Sequence, residues 1–156
     1  MRVMKLRYGV CLFGAAAIIF LDQIFKHWIT ANIKDTGGID LPVPLRLIYV
    51  ENRGAAFGIL QNMRWMFVIL GVAAVIAICF VVVKERVSSP LALAGASLII
   101  AGASGNLIDR ALNGYVVDMF ELTFINFAIF NIADVALTFG GIIICLYMLL
   151  QKPKKV

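Results

Sequence analysis

Residues 130–135 read Phe-Asn-Ile-Ala-Asp-Val and open the last apolar run of the chain. Asp134 therefore sits on a segment otherwise suited to lipid. A carboxylate there costs roughly 2.5–3.5 kcal/mol on membrane-insertion scales, so a partner or a task must offset it. The best candidate partner is Asp118, in Val116-Val117-Asp118-Met119-Phe120. The remaining residues are read as a frame that brings these two carboxylates together at a membrane surface.

Outward from that run, the composition agrees with a membrane setting. Hydrophobic residues make up 62% of the 156 positions, far above the average of soluble chains. The length predicts a single domain over residues 1–156. Cys11, Cys79 and Cys145 all lie inside apolar runs and read as small buried hydrophobes. His27 is the one histidine, and no metal-ligand spacing occurs. Neither a zinc site nor a disulfide framework is therefore expected.

Four spans are predicted, at about 8–29, 65–83, 87–107 and 131–150. Arg2, Lys5 and Arg7 precede the uncharged stretch Tyr8–Leu21, a pattern that also resembles a secretory signal peptide. Against that reading, no small-x-small cleavage site precedes a polar region. Val10 before Cys11 spoils a lipoprotein cleavage box, and apolar character resumes past Asp22 to Ile33. Trp65–Val83 carries no charge and suffices for a hydrocarbon core of ~30 Å at ~1.5 Å per residue. Ala101 and Gly105 in the third run permit close helix approach.

The basic residues set the predicted orientation. The N-terminal arm, the Lys84–Arg86 loop and the tail with Lys152, Lys154 and Lys155 hold eight of the 14 Lys and Arg, and one acid, Glu85. The positive-inside rule puts these segments, and both termini, in the cytoplasm. The net charge of +5 is then topological, and nucleic acid is not expected as a partner. Segments 30–64 and 110–130 fall outside. Gly37-Gly38 and Leu41-Pro42-Val43-Pro44 make a turn-rich entry to the first. Leu45–Val50, Tyr115–Leu122 and Thr123–Phe130 read as extended, which predicts a small extracytoplasmic β-sheet on a four-helix membrane bundle. A short amphipathic piece is expected within Phe57–Met66.

Polar residues converge in depth. At ~1.5 Å per residue, Asp22, Asn106 and Asp134 each lie ~22–25 Å from the cytoplasmic end of their spans. Random decoration would scatter them. Asp22 and Lys26 are spaced i, i+4, with the acid first, as suits a pair. Asn106, Asp109 and Arg110 share a face, as do Asn131 and Asp134. Plainer readings exist for each. Asp22–Lys26 reads as a structural pair fixing a helix end rather than as a catalytic couple. Asp109 and Arg110 also read as boundary residues, with Arg110 alternatively holding a carboxylate or lipid phosphate. Asn52–Gly58 also reads as a turn, and Asn131 as a helix cap. Asp118, on an extended segment, would ordinarily be solvated. Asp134 has the weakest plain reading.

Two carboxylates held together cannot both ionise easily, so one keeps its proton. In an aspartic-protease pair, one takes a proton from water while the other serves the scissile carbonyl. A proton- or ion-coupled transporter is the alternative use of embedded acids. It needs a polar path to the cytoplasmic side, and Cys11–Phe20, Val72–Val83 and Ile142–Leu150 show almost none.

Five stretches together resemble the bacterial lipoprotein signal peptidases, or signal peptidase II. They are Asp22-Gln23-Ile24-Phe25-Lys26, Asn52-Arg53-Gly54-Ala55-Ala56-Phe57-Gly58, Gly105-Asn106-Leu107-Ile108-Asp109-Arg110, Val116-Val117-Asp118 and Phe130-Asn131-Ile132-Ala133-Asp134. The resemblance implies an intramembrane aspartic endopeptidase that cuts prolipoproteins before a diacylglyceryl-modified cysteine. It implies Asp118 and Asp134 as the catalytic pair. Asn52, Gly54, Asn106, Arg110 and Asn131 would bind substrate or support that pair, with Asp22 and Lys26 structural. It implies no metal or cofactor. Lipid-modified prolipoproteins and membrane lipids would be the partners of a monomer. Apolar residues such as Phe57, Trp65 and Phe120 could contact acyl chains or the signal helix, although packing is the ordinary role of each.

Overall fold

The computed structural model describes residues 2–55 and 59–150. The expected contacts of Phe57 and the basic tail lie outside those residues. The described elements are α1 (Arg2–Asn32), β1 (Ile39–Asp40), β2 (Leu45–Asn52), α2 (Arg64–Lys84), α3 (Pro90–Leu112), β3 (Val116–Leu122) and α4 (Ile132–Leu150). All four helices are long and apolar enough to cross a membrane.

The helix α3 is the hub, packing on α1, α2 and α4. Its small residues make this possible. A Cβ at Gly102 would collide with the Ala133 carbonyl oxygen, and one at Gly105 would stand 2.7 Å from Asp22 Oδ2. Glycine therefore lets the start of α4 and the polar turn of α1 lie directly against α3. Ser89 caps α3, its Oγ accepting from the Ala92 amide at 3.4 Å, with Pro90 following. By contrast, α2 has no buried residue.

In α1 the buried positions are Ala15, Asp22, Lys26 and Ile29, a single stripe at helical spacing that Ile33 continues just past the helix end. Its far end enters the sheet. Ile29 and Ile33 pack with Leu47, Val117 and Met119. The sheet is antiparallel, in the order β1-β2-β3. Its register places Asp118 opposite Val50 and Val116 opposite Asn52, with an irregularity between Leu47 and Val50.

Several boundaries differ from the sequence reading. The third span was expected to end near 107, whereas α3 runs to Leu112, where Asn113 caps it and Gly114 turns with φ +84°. Thr123–Phe127 is not a strand. The chain turns back there and makes one isolated bridge, Phe120 with Phe130. Phe124, Ile125 and Phe127 are exposed, so their alternation reflects no buried face. Residues 59–63 form bends and a turn where a short amphipathic piece was expected. The two-residue β1 was not anticipated.

Candidate active site

At the start of α4, Asn131 and Asp134 cap each other. Asn131 Oδ1 accepts from the Asp134 amide at 2.9 Å, and Asp134 Oδ2 accepts from the Asn131 amide at 3.1 Å. This reciprocal arrangement satisfies two backbone donors of the helix start. It also leaves the Asn131 amide nitrogen free for other acceptors. That Nδ2 donates to Asp118 Oδ1 at 2.6 Å and to Asn106 Oδ1 at 3.1 Å. Asn131 is thus both a cap and a clamp between strand and helix.

Asp118 reaches this point from β3 and is 2% exposed. Its second oxygen, Oδ2, accepts from Asn52 Nδ2 at 2.8 Å. Asn52 is itself oriented locally, because its Oδ1 accepts from the Gly54 amide at 2.9 Å in a side-chain turn. The Gly54 carbonyl in turn accepts from Arg110 Nη2 at 2.9 Å. The Arg110 guanidinium lies over the Phe67 ring, 4.6 Å from its centroid. The glycine at 54 is sterically required, since a Cβ there would collide with the Ile59 carbonyl oxygen.

Asn106 completes the ring. Its Nδ2 donates to Asp134 Oδ1 at 2.7 Å. Each oxygen of the two carboxylates therefore receives one amide hydrogen: Asn52 and Asn131 serve Asp118, and Asn106 and the Asn131 main chain serve Asp134. Amide donors orient the acids without supplying a counter-charge. Burial, then the neighbouring Asp134 carboxylate, pushes Asp118 up to about 7.

Behind this ring lies a second polar cluster. Lys26 Nζ is 2.8 Å from both Asp22 Oδ2 and Asp109 Oδ2. It also donates to Asn106 Oδ1 at 3.2 Å. Gln23 Nε2 bridges the two acids, 3.2 Å from Asp22 Oδ2 and 3.0 Å from Asp109 Oδ1. The expected i, i+4 pair is present, but it is one side of a three-residue ion cluster. Asp109, which the sequence reading also allowed as a boundary residue, is 3% exposed. Its helical phase with Asn106 was the signal that pointed inward. Gln23 carried no such signal, being simply the neighbour of Asp22.

The ring opens on a cavity of about 580 Å³ whose walls include Asn52, Asn106, Arg110 and Asp134. Its apolar walls come from Phe67 of α2, from Phe127 and Phe130, and from Leu137 and Phe139 of α4. Asp134 faces this space, whereas Asp118 stands behind the wall. All nine residues singled out in the sequence thus fall in one connected group. Trp65 is not part of the wall: it is 67% exposed and lies under Arg64. Phe120 lies between Phe25, on which it stacks, and Phe130, whose ring is tilted 42° to it, in the packing role.

Comparison with known proteins agrees with the geometry. A family model described as signal peptidase (SPase) II matches residues 14–150. A lipoprotein signal peptidase of Streptococcus thermophilus (strain CNRZ 1066) is 48% identical over 133 residues, covering 85% of this chain and 87% of that protein. One from Lactococcus lactis subsp. lactis (strain IL1403) is 45% identical over 140 residues, covering 88% and 91%. A solved bacterial membrane enzyme, determined by the in meso method at 2.3 Å resolution, superposes with a TM-score of 0.86 at 34% identity. It covers 95% of this chain and 94% of that one. With the four apolar helices, the small sheet and this breadth of likeness, the chain belongs to the signal peptidase II family, integral membrane peptidases that remove signal peptides from prolipoproteins.

Proposed function

We propose that Asp118 and Asp134 are an aspartic catalytic pair that cuts a prolipoprotein before its lipid-modified cysteine. The observation that carries this reading is the ring itself: a buried carboxylate, Asp118, and a half-buried one, Asp134, joined through Asn131 and Asn106, each oxygen holding one amide hydrogen. Every oxygen keeps capacity for a further partner, so the acids can still accept a water and hold a shared proton. The ionised member takes a proton from that water, which attacks the scissile carbonyl. The protonated member donates to the carbonyl oxygen as the tetrahedral intermediate forms. As the C–N bond breaks, one acid gives a proton to the departing amine while the other takes one from a hydroxyl of the intermediate, so a carboxyl product leaves and the pair again holds one shared proton.

The remaining residues divide the work. Asn52 and Asn131 orient Asp118, and Asn106 orients Asp134. Gly54 and Arg110 hold Asn52 in place, and Arg110 also offers hydrogen bonds to substrate from the cavity wall. The apolar walls suit a signal helix and acyl chains, which stay in the bilayer during cleavage. In this reading the termini are cytoplasmic and the ring lies near the outer face, which the distribution of basic residues supports. All these residues lie in one chain, so a monomer suffices.

The transporter alternative lacks support in the buried polar residues. Among the described residues these are Asp22, Lys26, Asn106, Asp109, Asp118 and Asn131, all at the sheet end, and Ser97. Ser97 Oγ is occupied by the Cys11 carbonyl at 2.7 Å. The test is cleavage of a purified lipidated precursor, with an unlipidated control. Asp118→Asn and Asp134→Asn should insert normally and leave the precursor uncut. Normal processing by either variant would overturn the assignment.

A further inference from the structure

We propose that Lys26 is a positioning residue for the carboxylate pair: it fixes the Asn106 amide so that Nδ2 faces Asp134, and with Asp22 and Asp109 it sets the pair's separation. This inference rests on the aspartic reading above.

The hydrogen inventory of Lys26 is the first argument. An ammonium has three hydrogens, and Lys26 has three acceptors: Asp22 Oδ2, Asp109 Oδ2 and Asn106 Oδ1. An ammonium cannot accept, so the amide oxygen of Asn106 must face it and the amide nitrogen must face Asp134. The three asparagines of the ring share this logic but differ in what pins them. Main-chain amides pin the oxygens of Asn52 and Asn131, at Gly54 and Asp134. At Asn106 the pins are two side chains, Lys26 and Asn131, and Lys26 carries a charge.

The second argument is where the two acids of the cluster spend their other contacts. Asp22 Oδ1 accepts from the Ala133 amide at 3.0 Å, one residue before Asp134. Asp109 Oδ2 accepts from the Val117 amide at 3.2 Å, one residue before Asp118. Lys26 ties these grips together. The cluster thus holds the backbone immediately before each member of the pair, one on a helix and one on a strand.

The charged groups around the pair are Asp22 and Lys26 from α1, and Asp109 and Arg110 from α3. The pair itself supplies the carboxylates on β3 and α4. A nearby cation favours the ionised form of an acid, and a nearby anion disfavours it. Removing the charge of Lys26 therefore moves the cleavage profile to higher pH. Neutralising Asp109 moves it to lower pH. A merely structural role lowers activity without moving the profile in opposite directions.

The experiment uses the full chain and a lipidated prolipoprotein across a pH series. Lys26→Gln should lower kcat ~10–100-fold, the range seen when outer partners of a site are removed, with KM little changed. Its profile should move up by about one pH unit. Asp109→Asn should move the profile down, and it carries the test alone should Lys26→Gln fail to fold. Asp118→Asn and Asp134→Asn serve as controls for the underlying reading. If they abolish cleavage while both charge variants keep the parent profile, this inference falls and the catalytic pair stands. If they cleave normally, the reading beneath it falls instead.

Discussion

Two pairs of aspartates lie one amide apart in this molecule, and they are treated oppositely. Asp22 and Asp109 share an ammonium, with Lys26 2.8 Å from each. Asp118 and Asp134 share amides, through Asn131 and Asn106. A cation neutralises an acid and holds its geometry. An amide orients an acid and leaves its charge unbalanced. The first arrangement suits a fixed support, and the second keeps a proton available for transfer. Asn106 is the border residue, accepting from Lys26 on one side and donating to Asp134 on the other.

The comparison breaks most decisively at the amide-held pair. Asp118→Asn or Asp134→Asn should lower cleavage ~10²–10⁴-fold, the usual worth of a positioned acid or base. Folded yield should be unchanged. A large loss of folded protein with the activity per molecule retained would reverse the two roles. At the lysine-held pair the loss should appear in stability. Lys26→Ala strands two buried acids and should cost ~3–5 kcal/mol of stability, read as a lower unfolding midpoint in detergent. An unchanged midpoint would show that the cluster bears no structural load.

Smaller changes sharpen the contrast. Asn52→Ala removes one hydrogen bond to Asp118 and should lower kcat ~10-fold, the worth of a bond to a charged group. A normal kcat would remove Asn52 from the set that orients Asp118. The parent activity should decline above about pH 7, where Asp118 loses its proton. A rate still rising at pH 9 would contradict that. The same shift has a stability sign. A folded-state value above the unfolded one means that folded protein binds the proton more tightly, so the charge at 118 opposes folding as pH rises. Asp118→Asn should therefore raise the unfolding midpoint slightly at pH 8, and by less at pH 5. An equal effect at both would refute the linkage.

Much of this was legible in residue order, for identifiable reasons. Long uncharged runs admit one structure in lipid, because a helix satisfies its own backbone. Hence α2 and α4 fell within a residue or so of their expected bounds. The strands β2 and β3 were legible because β-branched and aromatic residues there cover a buried surface. Thr123–Phe127 had the same local pattern without a surface to cover. Asp109 was only half legible. A charged residue near the end of an apolar run marks a boundary in most chains, and only the arrival of Lys26 from α1 makes it interior. Gln23 owes its role to a partner far away in sequence, Asp109, which no local pattern encodes.

The absence of any buried residue on α2 has a practical outcome. This helix leans on α3, accepts one hydrogen bond from Tyr8 of α1 at Val82, lends Phe67 to the cavity, and otherwise presents its surface outward. The enclosure around the reacting groups is therefore finished by whatever solvates that helix. Chain length and fluidity of the surrounding amphiphile become variables of the enzyme itself, and two preparations of identical sequence in different micelles are two different vessels.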